Sequence, residues 1–267
     1  MAEAVDAPFD RPDAGFNALD GWSWVGCYGG YYLQADLLQG FEHGFFTRQW
    51  QGRQPDVLAG YLSAGVTVHR PRQVHSARVL SASEATAEPW PEADGLVSDR
   101  GGQSLWVCGA DCTPVLIADP LSGQVAACHA GWRGVAGQIL EVAISQLERQ
   151  GCRREQLLVA LGPAISAAAY QVDAPVVNAI AASLQLPADS DVTATLVAAG
   201  VLHDDPLPGH WRLDLRQATA VQLQHLGLDR ERMAICPLCT ASEPLLFHSW
   251  RRDQVKAVQW SGIVSQA

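Results

Sequence analysis

The sequence has few basic residues and no long apolar run. Its 267 residues include 18 lysines and arginines against 28 aspartates and glutamates, which gives a formal net charge of −10. Proteins that grip a nucleic acid backbone need clustered lysines and arginines, so this balance excludes a nucleic acid polymer as a general partner. No apolar stretch approaches the length of a membrane-spanning helix. We therefore expect no membrane partner, and the acidic N-terminal segment without a basic apolar leader indicates a cytoplasmic protein.

Compact metal-binding and redox motifs are also missing. The seven cysteines cannot all pair and are too dilute for a disulfide scaffold, so we expect reduced thiols. Cys236 and Cys239 have the C-x-x-C spacing, but no second such pair or histidine pair accompanies them, which favours a structural role. The eight histidines form neither a His-Glu-x-x-His motif nor a His-x-His pair. A metal site would therefore combine residues that are scattered along the chain.

Composition and hydrophobic patterning indicate one soluble α+β domain. With 48% hydrophobic residues, the chain can bury one large core but not several independent ones. Residues 1–20, rich in alanine, aspartate and proline, are predicted to form a flexible tail, and residues 21–267 a single domain. Predicted strands outnumber predicted helices, which favours mixed or antiparallel sheets over a doubly wound parallel fold.

The local patterns predict the following elements. Strands or extended segments are expected at residues 30–38, 67–69, 74–80, 104–108, 114–118, 124–127, 157–161, 233–235, 245–247 and 257–260. Helices are expected at residues 55–64, 135–148, 174–184 and 213–226.

Reactive side chains are concentrated between residues 109 and 134. Cys112 follows Asp111 and precedes a predicted strand, while His129 ends the next apolar run and leads into a glycine-bounded turn. His75 ends another short extended stretch upstream. A thiolate and two imidazoles suit a borderline-soft cation such as zinc, and three protein ligands leave a fourth position for water. The alternative is a buried free cysteine with two hydrogen-bonded histidines.

Six segments of the sequence together resemble one protein family. They read HGFFTR (43–48), QVHSARV (73–79), ADGLVSDRGG (93–102), ADCTPVLIADP (110–120), HAGWRG (129–134) and LGPAISAAAYQV (161–172). As a set they resemble the YfiH/DUF152 family, also called multicopper polyphenol oxidoreductase or laccase-like. The resemblance implies a four-layer α/β/β/α sandwich with mixed sheets. It also implies that His75, Cys112 and His129 occupy the family's metal-binding positions, with Zn²⁺ as the cofactor.

The resemblance further implies an enzyme that acts on small molecules. Family members that look similar are purine nucleoside phosphorylases, which use a nucleoside and inorganic phosphate, and which also deaminate adenosine and cleave methylthioadenosine. Arg133 and Arg48 lie inside matching segments and are candidates for binding phosphate, since a guanidinium can hold it with two hydrogen bonds. Trp132 is a weaker candidate for stacking on the purine. Asp111 is the nearest carboxylate in sequence for acid–base catalysis or for orienting a ligand histidine, and a turn residue is the alternative.

Other functions stay open from the sequence. One is a copper-dependent polyphenol oxidase, because Cu²⁺ outcompetes zinc at such sites and could bind in vitro. Another is a cysteine hydrolase with Cys112 as nucleophile and His75 or His129 as base. A third is a hydrolase that edits peptidoglycan precursors, to which some bacterial relatives are linked. The preferred nucleoside, the dominant reaction and the choice between monomer and homodimer are also open.

Overall fold

The computed structural model describes residues 19–27, 30–184 and 191–266. The flexible tail predicted at residues 1–20 lies, up to residue 18, outside the described residues. Within the described ranges, no helix is long and apolar enough to cross a membrane.

Two six-stranded sheets form the centre of the molecule. In spatial order, the first contains β1 (Trp22–Cys27), β2 (Gly30–Ala35), β3 (His43–Phe46), β15 (Gln259–Val264), β7 (Gln103–Gly109) and β4 (Thr67–His69). The second contains β14 (Met233–Ile235), β10 (Leu158–Leu161), β8 (Thr113–Ala118), β9 (Val125–Ala130), β6 (Gly95–Val97) and β5 (Val79–Ser81). The first sheet has one parallel pair, β4 with β7, and the second has parallel edge pairs, β5 with β6 and β10 with β14. The prediction of mixed sheets is confirmed.

Helices and a small third sheet complete the fold. The third sheet is antiparallel, in the order β11 (Gln171–Asp173), β13 (His210–Leu213) and β12 (Leu202–Asp204). The helices are α1 (Pro55–Leu62), α2 (Trp132–Ala136), α3 (Ile139–Arg149), α4 (Ala174–Ser183), α5 (Val192–Ala198), α6 (Leu215–His225) and α7 (Trp250–Asp253).

The alternation of side chains along the central strands explains the layers. On β8, Val115 and Ile117 pack in the core that α3, α4 and α6 cover, whereas Leu116 and Ala118 pack in the core between the two large sheets. Strand β8 is apolar on both faces because both of its faces are buried.

Strand β7 behaves in the same way in the first sheet. Leu105 and Val107 enter the core between the sheets, while Trp106 packs with Leu58 of α1 on the opposite face. The layers are therefore α1, the first sheet, the second sheet and the group of α3, α4 and α6. This is the predicted four-layer α/β/β/α sandwich.

Two of the predicted strands differ in the structure. Residues 244–246 form a turn, and the following Phe247 is fully buried in the core between the sheets, so the apolar run fills space without strand pairing. Of the extended segment predicted at residues 74–80, only its end belongs to β5, and the part around His75 is a loop.

The helix predicted at residues 135–148 is divided into α2 and α3. Gln138, between them, has a φ of 60°, which interrupts the helical path. The break coincides with a close approach, because a Cβ added to Gly137 would lie 2.8 Å from the Cβ of Ala77. Helical periodicity in the sequence continues across this break and does not reveal it.

Candidate metal centre

The pairing of β8 with β9 places Cys112 beside His129. The strands are antiparallel, with Thr113 opposite Ala130 and Pro114 opposite His129. Cys112 directly precedes β8, so it lies at the same end of the pair as the residues that close β9. The two ligands predicted from one segment are thus brought together by ordinary hairpin register.

His75 comes from the loop between β4 and β5, where it has a φ of 60°. This left-handed conformation is uncommon outside glycine and needs support from its surroundings. Asp94 supplies it: its carboxylate accepts hydrogen bonds from the backbone N–H groups of Val74 (3.2 Å), His75 (3.0 Å) and Ser76 (2.6 Å). The Ser76 hydroxyl donates to the same carboxylate at 2.8 Å. Asp94 is fully buried and fixes the His75 loop.

Asp94 also orients the second histidine. Its Oδ1 atom accepts a hydrogen bond from Nδ1 of His129 at 2.9 Å. An ionised carboxylate cannot donate, so the proton of the neutral ring is on Nδ1 and Nε2 is left as a donor atom for a metal. One buried carboxylate therefore positions both histidines.

The candidate ligand atoms of His75, Cys112 and His129 all lie within 4.8 Å of one another. The two imidazole rings are nearly perpendicular, with centroids 4.9 Å apart. His129 is buried and His75 is exposed, so the cluster opens to solvent on one side. Two imidazoles and one thiol with an accessible side could hold a metal ion and leave one coordination position open.

Hydrogen bonding overrides burial in setting the charges of this cluster. Burial raises the pKa of the Cys112 thiol, but the hydrogen bonds of His129 and His75 lower it to about 6. Burial lowers the pKa of His129, but the hydrogen bonds with Asp94 and Cys112 raise it to about 9. Burial raises the pKa of Asp94, but the hydrogen bonds from His129 and Ser76 lower it to about 2. Cys112 is thus held as a thiolate, the form that ligates metals.

A glycine keeps space open next to the cluster. A Cβ added to Gly131 would lie 2.9 Å from Sγ of Cys112 and 3.5 Å from Cδ2 of His75. Gly131 precedes α2 and has a φ of −74°, so glycine is needed here for space and not for backbone conformation. The absence of a side chain preserves access to the sulfur.

The cluster lies in a cleft of about 650 Å³. This volume is typical of a small-molecule site. Beyond the three ligands, the cleft is bordered by aromatic, cationic and apolar side chains: Trp132, Arg133, Tyr170, Trp250, Arg251, Val255, Lys256 and Val258.

Arg133 and Trp132, both predicted from sequence, border the cleft together. The Arg133 guanidinium lies over the Trp132 ring, with Cζ 4.2 Å from the ring centroid. Arg133 is exposed, and among the described residues its guanidinium has no hydrogen-bond partner. It is therefore available to bind an anion.

Arg48 is not brought to the cleft. Its Nη1 donates to the carbonyl of Pro244 at 2.6 Å, and its backbone N–H donates to Leu246 at 2.7 Å. It does not border the cleft that contains the ligands. These two hydrogen bonds connect Arg48 to the turn at residues 244–246.

Asp111 borders the cleft, but its carboxylate is already engaged. Oδ1 accepts from the hydroxyl of Thr240 at 2.7 Å, and Oδ2 accepts from the backbone N–H of Arg251 at 2.7 Å. The carboxylate that orients a ligand histidine is Asp94, which sequence reasoning did not single out. Its signal was its place in the segment ADGLVSDRGG, next to Gly95, which pairs with Cys128 in β9.

The chain is similar to known proteins over most of its length. Residues 56–265 match a family model described as multi-copper polyphenol oxidoreductase laccase. A purine nucleoside phosphorylase of Synechocystis sp. is 40% identical over 259 residues, which cover 92% of this chain and 98% of that protein. The purine nucleoside phosphorylase YlmD of Geobacillus stearothermophilus is 32% identical over 191 residues, covering 68% of this chain and 66% of the relative.

Solved structures share the fold. The crystal structure of YlmD from Geobacillus stearothermophilus matches with a TM-score of 0.77 at 25% identity, covering 91% of this chain and 99% of that one. The crystal structure of the Bacillus licheniformis protein YfiH matches with a TM-score of 0.75 at 24% identity, with the same coverage. The chain belongs to the YfiH/DUF152 family of laccase-like polyphenol oxidoreductases.

Proposed function

We propose that this protein is a zinc-dependent purine nucleoside phosphorylase. The observation that carries the proposal is the cluster of His75, Cys112 and His129 in an accessible cleft, in a chain 40% identical to a relative of that name. The substrates are a purine nucleoside and inorganic phosphate. The products are the free base and ribose 1-phosphate.

The donor atoms fit zinc. Thiolate sulfur and imidazole nitrogen are its preferred protein ligands, and three of them leave one coordination position open. Asp94 prepares the site by fixing His129 with Nε2 as the free nitrogen and by holding the His75 loop. When bound, zinc supplies a Lewis acid next to the substrate.

Arg133 is the residue that we assign to phosphate. The guanidinium lies over the Trp132 ring, borders the cleft and has no hydrogen-bond partner among the described residues. A planar guanidinium can donate two parallel hydrogen bonds to phosphate. A phosphate oxygen forms the new bond to C1′ of the ribose, and the electron pair of the breaking glycosidic bond leaves with the purine, which takes up a proton.

Adenosine deamination and methylthioadenosine cleavage extend the same proposal. In deamination, water replaces phosphate as the nucleophile, adds at C6 of the purine and expels ammonia. In methylthioadenosine cleavage, phosphate attacks C1′ as before and only the 5′ substituent of the ribose differs. The exposed side of the cluster at His75 gives the room that either substrate requires.

A cysteine hydrolase is a second candidate, favoured by the pKa of about 6 at Cys112. A thiolate paired with His129 is also the arrangement of a nucleophile and its base. The two candidates differ in the effect of metal. A nucleophile reacts with iodoacetamide in metal-free protein and catalyses without zinc, whereas zinc protects a ligand from alkylation.

A copper polyphenol oxidase is less well supported. Among the described residues, a single group of three ligands could hold one ion, whereas a multicopper cluster uses several. The same donors could bind Cu²⁺ in vitro.

The seven cysteines are free, which favours a reducing compartment, and we place the protein in the cytoplasm.

The test uses purified protein with measured metal content, incubated with inosine or adenosine in the presence and absence of phosphate. Chromatography resolves hypoxanthine, adenine and inosine. We expect base release that depends on phosphate, inosine from adenosine, and loss of zinc and both activities in Cys112→Ala. The control Cys27→Ser changes a cysteine outside the cluster and should behave as wild type. Zinc-loaded protein that converts none of these substrates contradicts the proposal.

A further inference from the structure

Besides the two histidines, three aromatic side chains border the cleft: Trp132, Tyr170 and Trp250. Two of these rings are already covered. Arg133 lies over Trp132 at 4.2 Å, and Arg251 lies over Tyr170 at 5.1 Å, measured from Cζ to the ring centroid. Trp132 and Tyr170 also pack against the core on the helix side of the second sheet. Neither ring is well placed to offer an open face to a ligand.

Trp250 has none of these partners. Within the described part of the chain, it contacts no other ring and no guanidinium, and it is the only aromatic residue among the large exposed hydrophobic side chains. It is 46% exposed. Val255 and Val258, which border the same cleft, are 59% and 41% exposed. This apolar wall, formed by Trp250, Val255 and Val258, is unusual because exposed apolar side chains normally occur singly.

The backbone under Trp250 is firmly held, so its exposure does not result from a loose segment. The Ser249 hydroxyl accepts from the N–H of Arg252 at the start of α7. The Arg252 guanidinium donates to the carbonyl oxygens of Thr240 (2.7 Å) and Phe247 (2.9 Å). An indole on a fixed backbone presents a planar surface at low cost in entropy.

Arg251 ties the same turn to the metal centre. Its backbone N–H donates to Asp111, the residue before Cys112, at 2.7 Å. Its guanidinium donates to the carbonyl of Gln171 at 3.2 Å while covering Tyr170. The position of Trp250 is therefore coupled by direct hydrogen bonds to the segment that carries the thiolate ligand.

We propose that Trp250 is the platform on which the planar base of the substrate stacks, with Val255 and Val258 completing the apolar wall. This assignment rests on the proposed function. In the same cleft, Arg133 and the three metal-ligand candidates can bind the polar parts of the nucleoside and the phosphate. The purine ring has two apolar faces, and these need an aromatic side chain to stack on. Trp250 thereby takes the stacking role that the sequence suggested for Trp132.

Kinetics in the direction of nucleoside synthesis test this assignment, because there the base and the sugar phosphate are separate substrates. Stacking on an aromatic side chain contributes enough that Trp250→Ala should raise the KM for hypoxanthine about 10- to 100-fold. The KM for ribose 1-phosphate should be unchanged, and kcat should fall much less than the KM rises. Trp250→Phe should restore most of the loss.

The matched control is Leu245→Ala. Leu245 is 56% exposed and belongs to the same part of the chain, but it does not border the cleft. It should leave both KM values as in wild type. An unchanged KM for hypoxanthine in Trp250→Ala, or an equal rise in both KM values, would overturn the platform while leaving phosphorolysis intact.

A binding measurement separates failure of the platform from failure of the proposed function. If wild-type protein turns over no nucleoside, binding of hypoxanthine to the zinc-loaded protein is measured by equilibrium dialysis. Saturable binding that is lost in Trp250→Ala and kept in Leu245→Ala supports the platform without phosphorolysis. Absence of binding to wild type, or equal binding to the Trp250→Ala variant, rejects it.

Discussion

Two clefts of similar volume differ in what their histidines do. The cleft with the metal ligands has about 650 Å³, and another, bordered by His69, Arg70 and Trp90, has about 690 Å³. In the larger cleft, Nδ1 of His69 bonds the carbonyl of Ala82 at 2.6 Å and Nε2 bonds the hydroxyl of Thr67 at 2.7 Å. Both nitrogens are satisfied within the fold. Volume therefore does not distinguish the two clefts. The partners of the histidine do, because His129 bonds the side chains of Asp94 and Cys112, whereas His69 bonds a backbone carbonyl and a hydroxyl.

The charges of the two histidines differ for the same reason. Burial lowers the pKa of both imidazoles. His69 is left with a lowered pKa, because its main partner is the neutral carbonyl of Ala82. His129 gains Asp94 and Cys112, which raise its pKa to about 9. Anionic partners thus favour the charged form of His129, whereas burial beside a neutral carbonyl favours the neutral form of His69.

The largest predicted difference is between His129→Gln and His69→Gln. His129→Gln removes a metal ligand, so zinc content should fall below one per chain and phosphorolysis of inosine by about 10³-fold or more. His69→Gln should keep the zinc and the activity but lower the free energy of unfolding by about 1–3 kcal/mol, because buried hydrogen bonds are lost. Metal analysis, steady-state kinetics and denaturant unfolding measure these effects. Equal zinc content in the two variants would remove the distinction between the clefts.

The next effect is expected at the carboxylate that positions the ligands. Asp94→Asn removes the charge that orients His129, and loss of such a partner typically weakens metal affinity about 10- to 100-fold. The control is Asp119→Asn, because Asp119 is also buried but accepts from Leu121 (3.0 Å) and Ser122 (2.9 Å) in a turn. Competition with a zinc chelator measures the affinities. If both variants bind zinc equally well, Asp94 is only a structural residue.

A smaller effect separates two stacked arginines. Arg133→Gln should raise the KM for phosphate about tenfold, as expected for loss of a charge-assisted hydrogen bond. Arg70 is stacked in the larger cleft, 5.0 Å from the Trp90 ring centroid and 5.2 Å from that of Trp260. Arg70→Gln should leave the KM for phosphate unchanged. Initial rates at varied phosphate and saturating inosine provide the comparison, and similar values for the two variants would reject Arg133 as the phosphate ligand.

The smallest effect concerns the space beside the thiolate. The methyl group of Gly131→Ala would press on Sγ of Cys112, so we expect zinc affinity several-fold below wild type and a slightly lower Tm. Gly40→Ala is the control, since a Cβ there meets nothing within 4 Å. Wild-type zinc affinity in Gly131→Ala would show that the site has more room than the structure indicates.

The sequence predicts the three residues that the structure brings together, His75, Cys112 and His129, because each lies beside a short extended stretch in a recognisable segment. The sequence did not single out Asp94, although it lies in the matching segment at residues 93–102, because its role depends on the pairing of β6 with β9, which brings Gly95 opposite Cys128. The placement of Arg48 likewise depends on a contact with Pro244, far along the chain. A residue whose partners come from distant parts of the chain cannot be recognised from its neighbours in the sequence.

The sequence predicts the central strands of the layered fold because these strands are short continuous apolar runs. Periodicity did not reveal the break at Gln138, which coincides with the close approach of Gly137 to Ala77 in the tertiary structure. The apolar run at residues 245–247 suggested a strand, but Phe247 enters the core from a turn. The sequence did not single out Trp250, because most tryptophans are largely buried and it lies outside the six matching segments.

The most direct measurement is a titration of metal-free protein with zinc while phosphate-dependent cleavage of inosine is followed. The three-ligand site predicts negligible activity without metal and a linear rise to a sharp plateau at one zinc per chain. Full activity in the metal-free protein would contradict a zinc enzyme. Absence of any activity in protein that has bound one zinc per chain would contradict the phosphorylase.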